Sequence, residues 1–246
     1  MIFLCFSSID RYTIVKSFLY HLKTYGFNVW YDYHELILGD EKKEKNFINA
    51  ISKCNYFVII YSQAFFKSAC AITEENLIFS EYKKRNITVF PILYNISYNE
   101  LPKLQQERVE NLIYNEISDQ SGGLASINQI VCKCLIDDMH IPSNEPTPQI
   151  NYSFANRIYD TYIKEIINSY LQVSSENFNA RIALLYSLYK YCTVIKPIPI
   201  IPEYVNKIVN HLFNITKLNI PLNHKEIIIA ELSIMKLFEI NDLMLH

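Results

Sequence analysis

Glycine is scarce in this chain: Gly26, Gly39, Gly122 and Gly123 are the four it has in 246 residues. A loop that cradles phosphate in backbone amides needs closely spaced glycines, because only glycine allows the backbone angles and the close approach. The spacing therefore excludes a P-loop and a Rossmann fingerprint. An excess of one charge is missing as well. With 23 Lys and Arg against 25 Asp and Glu, the net charge is −2, which leaves no broad basic footprint for DNA or RNA. The densest cluster, Lys83, Lys84 and Arg85, reads as a solvated helix end. No apolar run approaches the ~18 residues of a membrane span. The opening MIFLCFSSIDR lacks a basic n-region and turns polar after Phe6, which argues against a signal peptide. The six cysteines follow no framework spacing and fit buried thiols, Cys70 among them, in a reducing cytoplasm. Cys132 and Cys134 point in different directions on a helix, so with His140 they make a poor metal site; no metal is expected.

Half the residues are hydrophobic and a fifth are charged, the balance of a folded protein. Short continuous apolar runs, Ile2 to Phe6, Phe27 to Tyr31, Tyr56 to Tyr61, Ile87 to Leu93 and Leu112 to Ile117, have the length of strands buried on both faces. Between them lie helical faces: Val15, Leu19 and Leu22; Phe47, Ile48 and Ile51; Leu77, Ile78 and Tyr82; and a shorter helix within Leu101 to Val109. After the fifth run, Leu124, Ile127, Ile130, Val131, Cys134 and Leu135 recur at helical spacing. Alternating β and α elements with right-handed crossovers predict an α/β fold, an open parallel sheet covered by helices.

The polar, proline-rich HIPSNEPTPQ breaks this pattern, so the boundaries fall at 1–139 for the α/β domain, 140–150 for a linker and 151–246 for an α-helical module. Phe154, Ile158, Tyr162, Ile166 and Tyr170 step by four, which predicts one long helix whose stripe serves a core or an oligomer contact. A second helix spans about Asn177 to Cys192, and KPIPIIPE ends it with three prolines. Pro202 then suits the first turn of a third helix, and Asn223 with Glu226 forms a capping box before a fourth.

In an open parallel sheet, ligands bind beyond the carboxyl ends of the strands where the strand order switches. The loops there are FSSIDR, with Ser7, Ser8 and Asp10; a second segment with Gly26, Phe27, Val29, Trp30, Asp32, Leu36 and Gly39; and a third with Ser62, Phe65, Ser68, Cys70 and Glu74. In that order the three segments resemble the Toll/interleukin-1 receptor (TIR) family, over about Met1 to Asp138. The resemblance implies a flavodoxin-like, five-stranded parallel sheet. It also implies, for enzymatic members, cleavage of NAD by a glutamate in the third segment. The family's Trp before the Cys is Ala69 here, so the acid is Glu74 or, with a different shift, Glu75. Ile78 and Phe79 favour Glu74, standing at the offsets where enzymatic members bury residues of the same helix.

Nicotinamide on NAD is already a cationic leaving group, so the help is needed by the oxocarbenium-like ribose, which a nearby carboxylate can stabilise. Phe6, Trp30 or Phe65 could wall in the nicotinamide, while Ser7, Ser8 and Arg11 lie where diphosphate could meet a helix start. Plainer roles stand beside these. Glu74 and Glu75 also read as first-turn acids facing a helix dipole, Asp10 as an N-cap, and Trp30 and Phe65 as core. The resemblance further implies NAD as substrate with no permanently bound cofactor, a cytoplasmic homo-oligomer activated by assembly or by a partner, and a role in antiphage defence or cell-death signalling. A non-catalytic TIR scaffold is the alternative. A receiver domain is excluded because Tyr61 and Ser62 stand where its phosphoacceptor Asp belongs, and a flavodoxin because SSIDR is too short for its phosphate loop.

Overall fold

The computed structural model of the chain describes residues 1–31, 47–140 and 147–244. It comprises two compact units, Met1–Lys23 with Phe27–Ile127, and Thr24–Gly26 with Asn128–His246.

The first unit is built on five strands: β1 (Ile2–Cys5), β2 (Val29–Trp30), β3 (Tyr56–Tyr61), β4 (Thr88–Tyr94) and β5 (Asn115–Ile117). They form one sheet in the order β2-β1-β3-β4-β5, and every pairing is parallel. That order and the intervening helices make the unit flavodoxin-like, with the switch in direction between β1 and β3. The inner strands β1 and β3 are apolar throughout because both faces are covered: Phe3, Phe57, Val58, Ile59 and Ile60 are wholly buried, and each such side chain contributes about 1.5–3 kcal/mol. Three strands are shorter than their apolar runs: β1 stops one residue early, at Cys5, and β2 and β5 lose half or more of theirs. β5 begins only at Asn115, since Tyr114 turns instead to stack on Tyr98 at 5.4 Å and Leu112 packs on the core ahead of the ladder. Apolar character reports burial, and pairing is a separate requirement.

The helices of this unit are α1 (Val15–Thr24), α2 (Phe47–Lys53), α3 (Ala69–Tyr82) and α4 (Lys103–Val109). In α2, Ala50 and Ile51 are buried while Ile48 is 49% exposed, so Ile48 does not belong to the inward face that the sequence suggested. Nor is Arg85 a solvated helix end. Its guanidinium donates to the Ile51 and Cys54 carbonyls at 2.5 and 2.8 Å, satisfying acceptors that the end of α2 leaves open, and it pairs with Glu81 at 3.1 Å.

Helix α5 (Leu124–Asp138) contains the division between the units, which falls after Ile127. The second unit is otherwise helical: α6 (Tyr152–Asn156), α7 (Thr161–Gln172), α8 (Phe178–Lys190), α9 (Glu203–Lys217) and α10 (His224–Ile240). The single long helix expected from Phe154 onward is two, α6 and α7. Asp160 interrupts it by turning its carboxylate onto the Ile163 amide at 3.0 Å as an N-cap, a local bond that competes with continuing the helix; Ile158 bridges to Met244 instead. The Asn223 and Glu226 capping box forms as the spacing predicts. Inside this unit Glu231 is buried among Tyr170, Arg181 and the Ile150 amide. No helix among the described residues is long and apolar enough to cross a membrane.

Candidate active site

β1 ends at Cys5, and the chain turns through Phe6 and Ser7 into a single 3-10 turn, Ser8–Arg11. Ser7 is the residue that caps this turn, its Oγ accepting from the Ile9 amide at 3.4 Å. Asp10 is therefore not the N-cap. It is 6% exposed, and its Oδ2 accepts a hydrogen bond from the Ser62 hydroxyl at 2.6 Å. Ser62 in turn accepts from the Phe65 amide at 2.9 Å. One serine thus ties the loop after β3 to the loop after β1, across the switch point. Burial pushes the Asp10 carboxyl up, and the Ser62 hydroxyl opposes that by favouring the ionised form.

Arg11 lies over two rings that stack on each other, 5.6 Å from the centre of Phe6 and 5.4 Å from that of Tyr31. The stacking holds a cation at the rim of β1. Ser8 is exposed. Trp30 lies flat against Phe3, with ring centres 4.5 Å apart, and Phe65 is fully buried edge-on to Tyr61; both pack into the core cluster. Asp32, Leu36 and Gly39 lie outside the described residues.

Ser68 caps α3 by accepting from the Ala71 amide at 3.3 Å, so the helix starts at Ala69. That start places both glutamates in the second turn. They are not first-turn acids, and the dipole effect fades beyond the first turn. Being adjacent on a helix, they also point in different directions, and their surroundings differ. Glu75 is wholly buried and receives the Tyr61 hydroxyl at 2.8 Å and the Gln105 amide at 2.9 Å. Arg108 Nη1 sits 3.0 Å from Glu75 Oε1, close enough to pair although not aligned as a hydrogen bond. Gln105 and Arg108 did not stand out in the sequence. Their spacing of three on α4 was the available signal, since it places them on one face.

Glu74 keeps 8% exposure. Its Oε1 accepts from the Cys70 thiol at 3.4 Å, and the Cys5 thiol donates to the Ala71 carbonyl, one turn earlier in the same helix, at 3.6 Å. Cys70 is exposed, contrary to the buried thiol expected; at the second position of α3 it faces outward beside Glu74. A groove of about 530 Å³ between α3 and α4 is lined by Asn76, Phe79, Lys83, Leu104 and Arg108. It includes neither Glu74 nor the Ser7 to Arg11 turn, so the groove and the polar rim are separate features. Among the described residues no cluster of His, Cys, Asp and Glu could hold a metal.

The fold defines a doubly wound α/β domain in which Asp10 and Ser62 join the loops after β1 and β3 at the strand-order switch. The family model for the TIR domain matches residues 2–130, and the chain belongs to that family. It is 35% identical over 102 residues, 42% of this chain and 29% of the relative, to a probable 2′ cyclic ADP-D-ribose synthase, TcpO, of Methanobrevibacter olleyae. It is 28% identical over 113 residues, 46% of this chain and 39% of the relative, to the 2′ cyclic ADP-D-ribose synthase BtTIR of Bacteroides thetaiotaomicron. It is 26% identical over 101 residues, 41% of this chain and 30% of the relative, to the NAD(+) hydrolase TcpA of a Theionarchaea archaeon (strain DG-70-1). The match thus spans between 29% and 39% of the length of these relatives. Among solved structures, the TIR domains of the activated Roq1 resistosome align with a TM-score of 0.39 at 21% identity, over 56% of this chain and 74% of that one.

Proposed function

We propose that this chain cleaves the bond between nicotinamide and ribose in NAD, with Glu74 as the carboxylate that faces the reacting sugar. The observation that carries this reading is the contrast between the two acids. Glu75 is fully buried and enclosed by Tyr61, Gln105 and Arg108, whereas Glu74 keeps 8% of its surface exposed and accepts from the Cys70 thiol on its own helix. The names of the relatives, cyclic ADP-ribose synthases and an NAD hydrolase, support the substrate.

The glycosidic bond breaks with its electron pair going to nicotinamide, which leaves neutral. The ribosyl carbon becomes electron-poor, and a carboxylate held in a partly desolvated position offsets that charge. Water would capture the carbon to give ADP-ribose and a proton; a nucleophile within the same nucleotide would close a ring. Ser7, Ser8, Asp10 and Arg11 on the turn after β1, with Ser62 and Ser68 after β3, are the groups proposed to bind the nucleotide, Arg11 facing the diphosphate. Phe6 serves as the aromatic surface beside it. Phe6 is backed by Tyr31, whereas Trp30 and Phe65 belong to the core cluster with Phe3 and Tyr61 and take no part in this wall. We further propose that the chain acts as an immune-type effector switched on by assembly, with the helical unit as the element that assembles or senses.

To test this, the full chain is incubated with NAD over a range of protein concentrations, and nicotinamide release and products are followed by mass spectrometry. Glu74→Gln should lower turnover about a hundredfold or more, and the rate per molecule should rise with concentration. A folded Glu74→Gln protein as active as wild type would overturn the assignment. Assembly without any NAD turnover would favour the scaffold reading, for which Ala69 in place of the family's Trp is the motive.

A further inference from the structure

One thiol donates to the Glu74 carboxylate, and a second donates to the helix turn that precedes it. Cys70 and Glu74 stand four apart on α3, so their side chains lie one above the other on the same face, with the thiol 3.4 Å from Oε1. The second thiol comes from another element. Cys5 closes β1, and its Sγ lies 3.6 Å from the Ala71 carbonyl, in the turn of α3 that precedes Glu74. Cys5 is fully buried. Burial first, and then the neighbouring Glu74 and Glu75 carboxylates, push its thiol well up, so it stays protonated and able to donate at neutral pH.

We propose that Cys70 is a positioning residue for Glu74, its thiol holding the carboxylate on a turn of α3 that the Cys5 thiol ties to the end of β1. This rests on Glu74 being the carboxylate that faces the sugar. A thiol is a weak donor, and weakness is useful here because the bond orients the carboxylate without neutralising the charge that the developing oxocarbenium requires. The two donors differ in exposure. Cys5 is out of reach of solvent, whereas Cys70 is open to it, so a reagent that modifies Cys70 removes one donor and places bulk beside the acid. The positions of the two thiols also couple Glu74 to β1 as well as to its own helix.

The coupling can be read without any catalysis. In the full-length protein, the rate at which iodoacetamide alkylates Cys70 is followed by peptide mass spectrometry against pH, for wild type, Glu74→Gln and Glu75→Gln. A carboxylate beside the thiol disfavours the thiolate, so Glu74→Gln should speed alkylation near neutral pH by about fivefold, the factor that one charge at about 4 Å commands even in water. Glu75→Gln should not change it. Equal rates in wild type and Glu74→Gln would overturn the proposal. In the NAD assay, Cys70→Ala should move the acidic limb of kcat/KM to higher pH, because the carboxylate loses a donor to its charged form, and Cys70→Ser should restore it. A merely structural role would lower the rate and leave the limb in place, which would also overturn the proposal. If Glu74→Gln still releases nicotinamide, the functional reading falls while the alkylation result stands by itself. If Glu74→Gln is inactive and alkylation is unchanged, the thiol proposal falls alone.

Discussion

Arg108 reaches from α4 to place its Nη1 3.0 Å from Oε1 of Glu75, a carboxylate that has 0% of its surface exposed. The same guanidinium donates to Asn76 at 2.7 Å and lies 5.0 Å from the centre of the Phe79 ring. One side chain therefore fixes α4 against α3 just beyond Glu74. Removing it would strand a buried charge, which is the costly way to break such a pair. Arg108→Met is expected to lower stability by about 3 kcal/mol, and Arg108→Met with Glu75→Gln to recover a large part of that loss. Urea denaturation measures both; a loss below about 1 kcal/mol for the single change would show that the pair is dispensable.

The Asp10 carboxyl is pushed up by burial, so the folded protein holds its proton more tightly than the unfolded chain does. The stabilisation is then present in full below the unfolded value, about 3.9, and is lost as pH rises through the folded one. Asp10→Asn has no charge to bury, yet its side-chain oxygen can still accept from Ser62. Its melting temperature relative to wild type should therefore increase as pH is raised from about 4 toward about 7. Melting curves across that range decide it, and a relative melting temperature that falls with pH would show that the Ser62 hydrogen bond outweighs burial.

Two adjacent glycines are expected to resist substitution for different reasons. At Gly123 an added Cβ would sit 2.5 Å from Cε2 of the buried Phe18 ring, and overpacking of that kind costs about 1–3 kcal/mol. At Gly122 the space is open but φ is +62°, a conformation in which alanine loses about 1 kcal/mol and asparagine less. Gly123→Ala should destabilise more than Gly122→Ala, and Gly122→Asn least. Equilibrium denaturation ranks them, and a different order would count against one of the two explanations.

In the helical unit, Tyr170 donates to Glu231, and Arg181 reaches the Tyr170 oxygen at 2.6 Å and Glu231 at 3.0 Å. Burial and the neighbouring carboxylate push the Tyr170 hydroxyl up, so it remains a donor. Tyr170→Phe leaves Glu231 with its cation and the Ile150 amide and should cost about 1–2 kcal/mol. Arg181→Met leaves the acid buried without its cation and should cost about 3 kcal/mol. Hydrogen exchange along α7 and α10 should accelerate in that order, and equal protection in the two variants would mean that Arg181 adds nothing beyond the tyrosine.

By itself the sequence determined the class of the first domain and the location of its rim. Continuous apolar runs of strand length alternate with helical faces, and this is a local pattern, because each residue's burial shows in its own chemistry and spacing. The capping box at Asn223 and Glu226 and the serines near the strand ends are local in the same sense. What only the tertiary structure decided depends on partners far away in the chain. Arg85 closes a helix some thirty residues earlier, Asp160 breaks a stripe that looked continuous, and Cys70 faces outward. The difference between Glu74 and Glu75 comes from Tyr61, Gln105 and Arg108, residues on other elements that enclose the Glu75 carboxylate completely. Periodicity tells which side of a helix turns inward, but not what waits there.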